Sequence, residues 1–225
     1  MPDPADRPAD PDSPSATAPR QTYRHGDLRR ALLDAGVALA REGGPQAVVL
    51  REATRRAGVA PNAAYRHFAN RQDLLEAVRA VALAQVARAM EAELAAVPAT
   101  LAPHEHACAG LRAVGAGYLR FAREETGLFR TAFAAAGDIG PGTPNHAEKT
   151  GATGLDPFQL LGGALDRMVA AGALPPERRP GAEFLAWSAV HGLALLVIDG
   201  PLARVVGPQM DRVAQRLLDM VEKGL

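Results

Sequence analysis

LREATRRAGVAPNAAYRHF, residues 50–68, constrains the fold more than any other stretch of the chain. Two short helical segments lie on either side of Gly58, which supplies the backbone freedom for a tight turn. In the first, from about Val49 to Ala57, Leu50 and Ala53 form a buried side, leaving Arg51, Glu52, Arg55 and Arg56 outside. Pro61 suits the first position of the second segment, where no intrahelical donor is lost. Ala60 before it is a poor cap, so this helix must lean on tertiary packing. A short helix, a glycine turn and a second short helix over 61–68 match the helix-turn-helix pattern.

The flanking sequence supplies that packing. Leu28, Leu32, Ala35 and Leu39 form a helical stripe from Asp27 to Glu42, which Gly43, Gly44 and Pro45 stop. In NRQDLL, Asn70 is placed to cap a further helix, Asp73 to reach back, and Leu74 to meet Ala69. That helix continues through Val78, Val81, Val86, Met90 and Leu94, and Pro98 ends it. Helical patterning resumes over 104–124, through Leu128, Phe129 and Phe133, and over 156–171, 181–198 and 208–223. No strand-like alternation is convincing anywhere. The expected fold is all-α: an acidic, proline-rich tail over 1–21, a three-helix unit over 22–80, and a helical bundle over 81–225 with a flexible loop at 136–154.

Charge divides along the same lines. Residues 1–19 hold one arginine and four aspartates, net −3, and residues 91–225 hold 12 basic against 15 acidic side chains, again −3. Residues 20–90 hold 12 arginines against six acids, net +6, so the basic segment contains the helix-turn-helix. Phosphate is the natural partner of such a patch. In this motif the second helix enters the major groove with its N-terminal residues at base edges. Ala64 and Phe68, four apart, make its inward face and leave Asn62, Ala63, Arg66 and His67 outside. Asn62 has the chemistry to read an adenine edge, and Ala63 offers a methyl, for example to thymine. Tyr65, Arg66 and His67 have the reach for phosphate oxygens, and Arg71 at the head of the next helix lies close by. Tyr65 and His67 also read as helix-end residues packing on the next helix, and Arg55 and Arg56 as a solvated face.

From TYRHGDLRRALLDAG through LREATRRAGVAPNAAYRHFANRQDLL, about residues 22–80, the chain resembles the DNA-binding domain of TetR-type transcriptional regulators. The family's recognition helix typically ends Tyr-x-His-Phe, here Tyr65, Arg66, His67 and Phe68, and a basic residue opens the next helix, here Arg71. Three places depart from the usual pattern and bear on base preference: Ala53-Thr54 for Ile-Ala, Ala60 for a Ser or Thr cap, and Asn62-Ala63 for Gly-Thr. The second half is similar to a branch with a Trp-His-Gly signature, here Trp187, His191 and Gly192. These resemblances imply a sequence-specific repressor that dimerises through its last two helices and is released from operator DNA by a small, largely apolar ligand. The candidate ligand-binding residues are Trp187 and His191, with Tyr118 and Phe121 from the 104–124 helix; His191 reads equally as a buried, hydrogen-bonded core residue.

Other classes find little support. There is no phosphate-cradling glycine loop, Gly-x-Ser-x-Gly elbow or paired zinc motif, so neither enzyme nor cofactor is expected. On a helix the imidazoles of His104 and His106 diverge, so no metal is expected there. Cys108 stands alone and fits a reducing cytoplasm. The longest nearly apolar run, 184–198, is short for a bilayer and contains His191, so no membrane association is expected. A helical small-molecule carrier that merely retains a helix-turn-helix is the alternative, and the basic segment argues against it.

Overall fold

The computed structural model describes residues 25–134 and 147–225, so the expected tail and most of the expected loop lie outside the described residues. Among those described there are ten α-helices and no strand. They are α1 (His25–Ala47), α2 (Leu50–Arg56), α3 (Pro61–Ala64), α4 (Arg71–Ala95), α5 (Pro103–Glu124), α6 (Thr126–Ala132), α7 (Pro157–Ala170), α8 (Ala182–Ile198), α9 (Ala203–Val206) and α10 (Met210–Gly224). The all-helical expectation holds. The glycine pair breaks α1 where the sequence places a stop: Gly44 takes φ +68°, a region other residues rarely enter. α9 lies in a stretch the sequence reads only as a connection.

Helix ends follow the local chemistry. The Asn70 side chain accepts from the Asp73 amide at 3.0 Å, and Asp73 Oδ2 accepts from the Ala69 amide at 3.1 Å. Asp156 and Gln159 form a reciprocal capping box at the start of α7, satisfying two orphan donors. After α2 the chain turns back through Gly58 at φ +67°, its neighbour Val59 donating to Thr54 O at 3.1 Å.

α4 is the central element. Leu74, Val78, Val86 and Ala87 are fully buried along it, and even its alanine faces at Ala80 and Ala84 are covered. It therefore packs on α1, α5, α6 and α7 at once, and runs unbroken past residue 80 from the three-helix unit into the bundle. Two glycines set the closest helix approaches. A Cβ on Gly117 of α5 would lie 2.5 Å from Ala89 O of α4, and one on Gly127 of α6 would lie 2.2 Å from Ala40 O of α1. α6 is thus wedged against α1, and buried Arg79 of α4 donates to its last carbonyl, Ala132 O, at 3.0 Å. Arg41 of α1 donates to Glu125 at 2.9 Å beside that contact.

The described end of the expected loop is held. Glu91 of α4 accepts from the Ala152 and Thr153 amides, both at 2.8 Å, and from the Thr153 hydroxyl. Burial raises the Glu91 carboxyl pKa, but these three donors outweigh it and leave the group below its ordinary value.

Candidate nucleic-acid interface and buried cavity

α3 is shorter than its sequence pattern. Regular helix covers Pro61–Ala64, and two turn hydrogen bonds, from the His67 and Phe68 amides to Ala64 O at 2.9 and 3.0 Å, carry the chain to Phe68. Ala60 contributes no side-chain cap, as its chemistry requires. Ala64 and Phe68 are buried, and Arg29 of α1 stacks over the Phe68 ring 5.2 Å from its centroid. With that face sealed, Asn62, Tyr65 and Arg66 are exposed, Tyr65 at 59%, while Ala63 and His67 are half-buried. Three side chains with hydrogen-bonding reach are therefore exposed within five residues of one another.

Arg71 has a second occupation that sequence reading missed. Its Nε donates to Val48 O at 2.8 Å and its Nη2 to Pro45 O at 2.6 Å, lacing the first turn of α4 to the α1–α2 connection. The side chain remains exposed, but two of its three nitrogens are engaged. Nothing in the sequence pairs residues so far apart. Arg55 and Arg56 are tied down as well: both donate to Glu52, and Arg56 also donates to Glu42. Hydrogen bonds from Arg55, then Arg56, hold the Glu52 carboxyl at about 2. Part of the basic segment's charge is thereby neutralised before any partner arrives.

The second feature is a cavity of ≈ 40 Å³ lined by residues of α4, α5, α7, α8 and α10. Tyr118 of α5, Phe158 of α7, Trp187 of α8 and Leu218 of α10 are in its wall. Leu218 can approach because position 115 has no side chain; a Cβ there would lie 2.3 Å from its Cδ2. At roughly 10–15 Å³ per water-sized probe, the space holds about three waters. Any larger molecule must displace side chains.

A polar chain crosses the wall. Trp187 Nε1 donates to Tyr118 Oη at 3.2 Å, and Tyr118 Oη lies 2.7 Å from His191 Nδ1. An indole only donates, so the phenol accepts from Trp187, and its own proton is satisfied where His191 Nδ1 accepts it. His191 is then neutral, protonated on Nε2. Burial lowers the His191 pKa and raises that of Tyr118, the latter opposed by the smaller effect of the Trp187 bond, so both groups stay uncharged. Of the four candidate pocket residues, Tyr118 and Trp187 are in the wall. His191 stands behind Tyr118 and satisfies it, as a hydrogen-bonded histidine inside the bundle. Phe121 is buried in the core, away from the cavity wall: it sits about 4.5 Å further along α5 than Tyr118, past the end of the cavity. Phe133, which sequence reading assigned only to a helix, is in the wall instead, its ring centroid 5.1 Å from that of His191, edge to face, and 5.0 Å from that of Phe129.

Cys108 is buried, and burial followed by the Glu222 charge pushes its thiol pKa up, which suits an inert core residue. Among the described residues no three His, Cys, Asp or Glu side chains are grouped to hold a metal ion, and no single helix is long and apolar enough to cross a membrane.

A helix-turn-helix unit with an outward polar face, joined through one long helix to a helical bundle, defines the class of a helix-turn-helix regulator. Residues 32–78 match the family model described as bacterial regulatory proteins, tetR family, and residues 111–221 match that of the tetracyclin repressor-like C-terminal domain. The chain belongs to the TetR family of transcriptional regulators. Among solved structures it is similar to a protein of unknown function from Rhodococcus sp. RHA1, at 26% identity and TM-score 0.70, over 92% of this chain and 99% of that one. A crystal structure of a protein described as regulatory, SCO4313, shares the fold at 16% identity and TM-score 0.57, over 91% and 98% of the two chains. No curated protein matches the chain.

Proposed function

We propose that the protein is a cytoplasmic, homodimeric repressor without enzymatic activity, released from operator DNA by a small, largely apolar effector in the cavity. The observation that carries the reading is the exposure of Asn62, Tyr65 and Arg66 opposite a sealed Ala64–Phe68 face. Asn62 and Ala63 meet base edges; Tyr65, Arg66 and His67 meet phosphates; Arg71 sets the angle of the unit and offers its remaining donors to the backbone. The unit at 22–80 reads DNA, and the bundle at 81–225 senses the effector and dimerises.

An exposed apolar face supports the dimer. Phe184, Leu185, Leu195 and Leu196 on α8 and Met220 on α10 are all at least 40% exposed. Within the same α8 face, a Cβ on Gly192 would meet nothing within 4 Å, so this glycine is not required by packing inside one protomer. Two copies joined there would each present an α3 to one major groove, about one helical turn (~34 Å) or a small multiple apart. The effector releases DNA by binding more tightly to a dimer geometry with a different α3 spacing.

The test is fluorescence anisotropy with labelled DNA from upstream of the protein's own gene. Saturable, salt-sensitive binding that Tyr65→Ala weakens is the expected result. No binding beyond that to random DNA, at any salt concentration, refutes the reading. A carrier that merely keeps the motif would give that negative result.

A further inference from the structure

We propose that the effector is a small aliphatic monocarboxylate whose carboxylate takes Arg112 away from Glu222. This rests on the reading of the cavity as the effector site. Among the described residues lining the cavity, Arg112 of α5 is the only charged one; aliphatic and aromatic side chains make up nearly all the rest. Its Nη1 donates to Glu222 of α10, the residue after the wall residue Val221. Glu222 itself is not in the wall, and its side chain is only 15% exposed. Arg112 thus borders the cavity with a side chain 41% exposed, its guanidinium backed by a carboxylate.

The ligand chemistry follows from what each wall group has left to offer. Arg112 has five N–H donors and a planar fork suited to a carboxylate, and its bond to Glu222 engages Nη1. The Tyr118 hydroxyl donates to His191 Nδ1 and accepts from Trp187, so it keeps a lone pair but no donor for an anion. The anionic end of a ligand therefore belongs at Arg112. A cation would face the guanidinium with no acid in the wall. A neutral alcohol gains the apolar burial but no charge-assisted bond. With room for about three waters, the cavity takes only a few carbons before Met90 and Leu218, both flexible, must swing aside. The incoming carboxylate competes with Glu222 for the same guanidinium, and where it wins the α5–α10 link loosens.

Trp187 is the chain's one tryptophan and stands in the wall, so its fluorescence reports occupancy directly. The full-length protein is titrated at neutral pH with hexanoate, 1-hexanol and hexyltrimethylammonium. The expected result is a Kd for hexanoate at least ~10-fold below that for hexanol. Arg112→Gln brings the two together without changing hexanol binding, and Glu222→Gln tightens hexanoate several-fold by removing the competitor. Equal affinity for acid and alcohol overturns the carboxylate assignment while leaving the cavity an effector site. Preference for the ammonium overturns it in favour of a cation. An acid preference that survives in Arg112→Gln removes Arg112 from the site. No response to any of the three overturns both this proposal and the reading of the cavity on which it rests.

Discussion

Gly127→Ala tests how tightly α6 is wedged against the DNA-reading unit. The new methyl would lie 2.2 Å from Ala40 O and 2.4 Å from Arg41 O. Both are backbone atoms of α1, so no rotamer change relieves the clash. Restoring an ordinary carbon–oxygen contact requires α1 and α6 to separate by about 1 Å, at a typical overpacking cost of ~1–3 kcal/mol. Alanine returns about 0.5–1 kcal/mol by restricting the unfolded chain and favouring the helix. The net loss is up to ~2.5 kcal/mol, a fall in melting temperature of up to about 10 °C for a chain of this size. Gly110→Ala in α5 is the control, because its Cβ would meet only Leu94 Cδ2, at 3.8 Å. Urea unfolding followed by far-UV circular dichroism reads both. If Gly127→Ala is stabilised as much as Gly110→Ala, the close approach of α1 and α6 is wrong. DNA affinity should fall with Gly127→Ala and not with Gly110→Ala.

Three further predictions concern single side chains. Arg71→Ala removes the donors to Val48 O and Pro45 O and should cost ~1–2 kcal/mol; it should also shallow the salt dependence of DNA binding by about one unit, and an unmoved unfolding midpoint would dismiss the lacing role. Tyr118→Phe strands Trp187 Nε1–H and His191 Nδ1 together, for ~2–4 kcal/mol; a loss below ~0.5 kcal/mol in urea unfolding would mean water replaces the hydroxyl. Because burial holds His191 below its ordinary 6.5, the unfolded chain takes up the proton first, so this stability is complete above about pH 6.5 and declines as pH falls toward the folded pKa. His191→Gln, whose amide oxygen accepts from Tyr118, should flatten that decline, and an unaltered slope would assign it elsewhere. The lowered carboxyls of Glu42, Glu52 and Glu91 add their own decline only below about 4.5, a separate window.

The sequence declares what is local and periodic. The α1 break at Gly43–Gly44, the Asn70 cap and the division of α3 into a buried Ala64–Phe68 face and an exposed Tyr65 all follow from neighbours within a turn or two. What it conceals depends on where distant segments meet. Arg71 reads as a free cation because the carbonyls it grips lie 23 and 26 residues earlier. Phe121 shares the apolar pattern of Tyr118, but periodicity marks a buried face without saying where along α5 the cavity stops. Residues 150–154 read as flexible from their glycines and threonines, yet Glu91, some 60 residues away, fastens two of their amides. The pattern over 61–68 reads as one helix, whereas regular helix ends at Ala64 and turn hydrogen bonds to Ala64 O carry the chain on to Phe68.

The uninterrupted course of α4 makes it a lever. Met90 at the cavity and Arg71 beside the reading unit stand on one rigid rod, about 28 Å apart. Pivoting that rod by a mere 5° at its inner end would carry the outer end through about 2.5 Å, a large part of the spacing between successive base pairs. On the proposed reading of the cavity as an effector site, a disturbance of atomic dimensions around a small guest arrives at the duplex as a misfit in register.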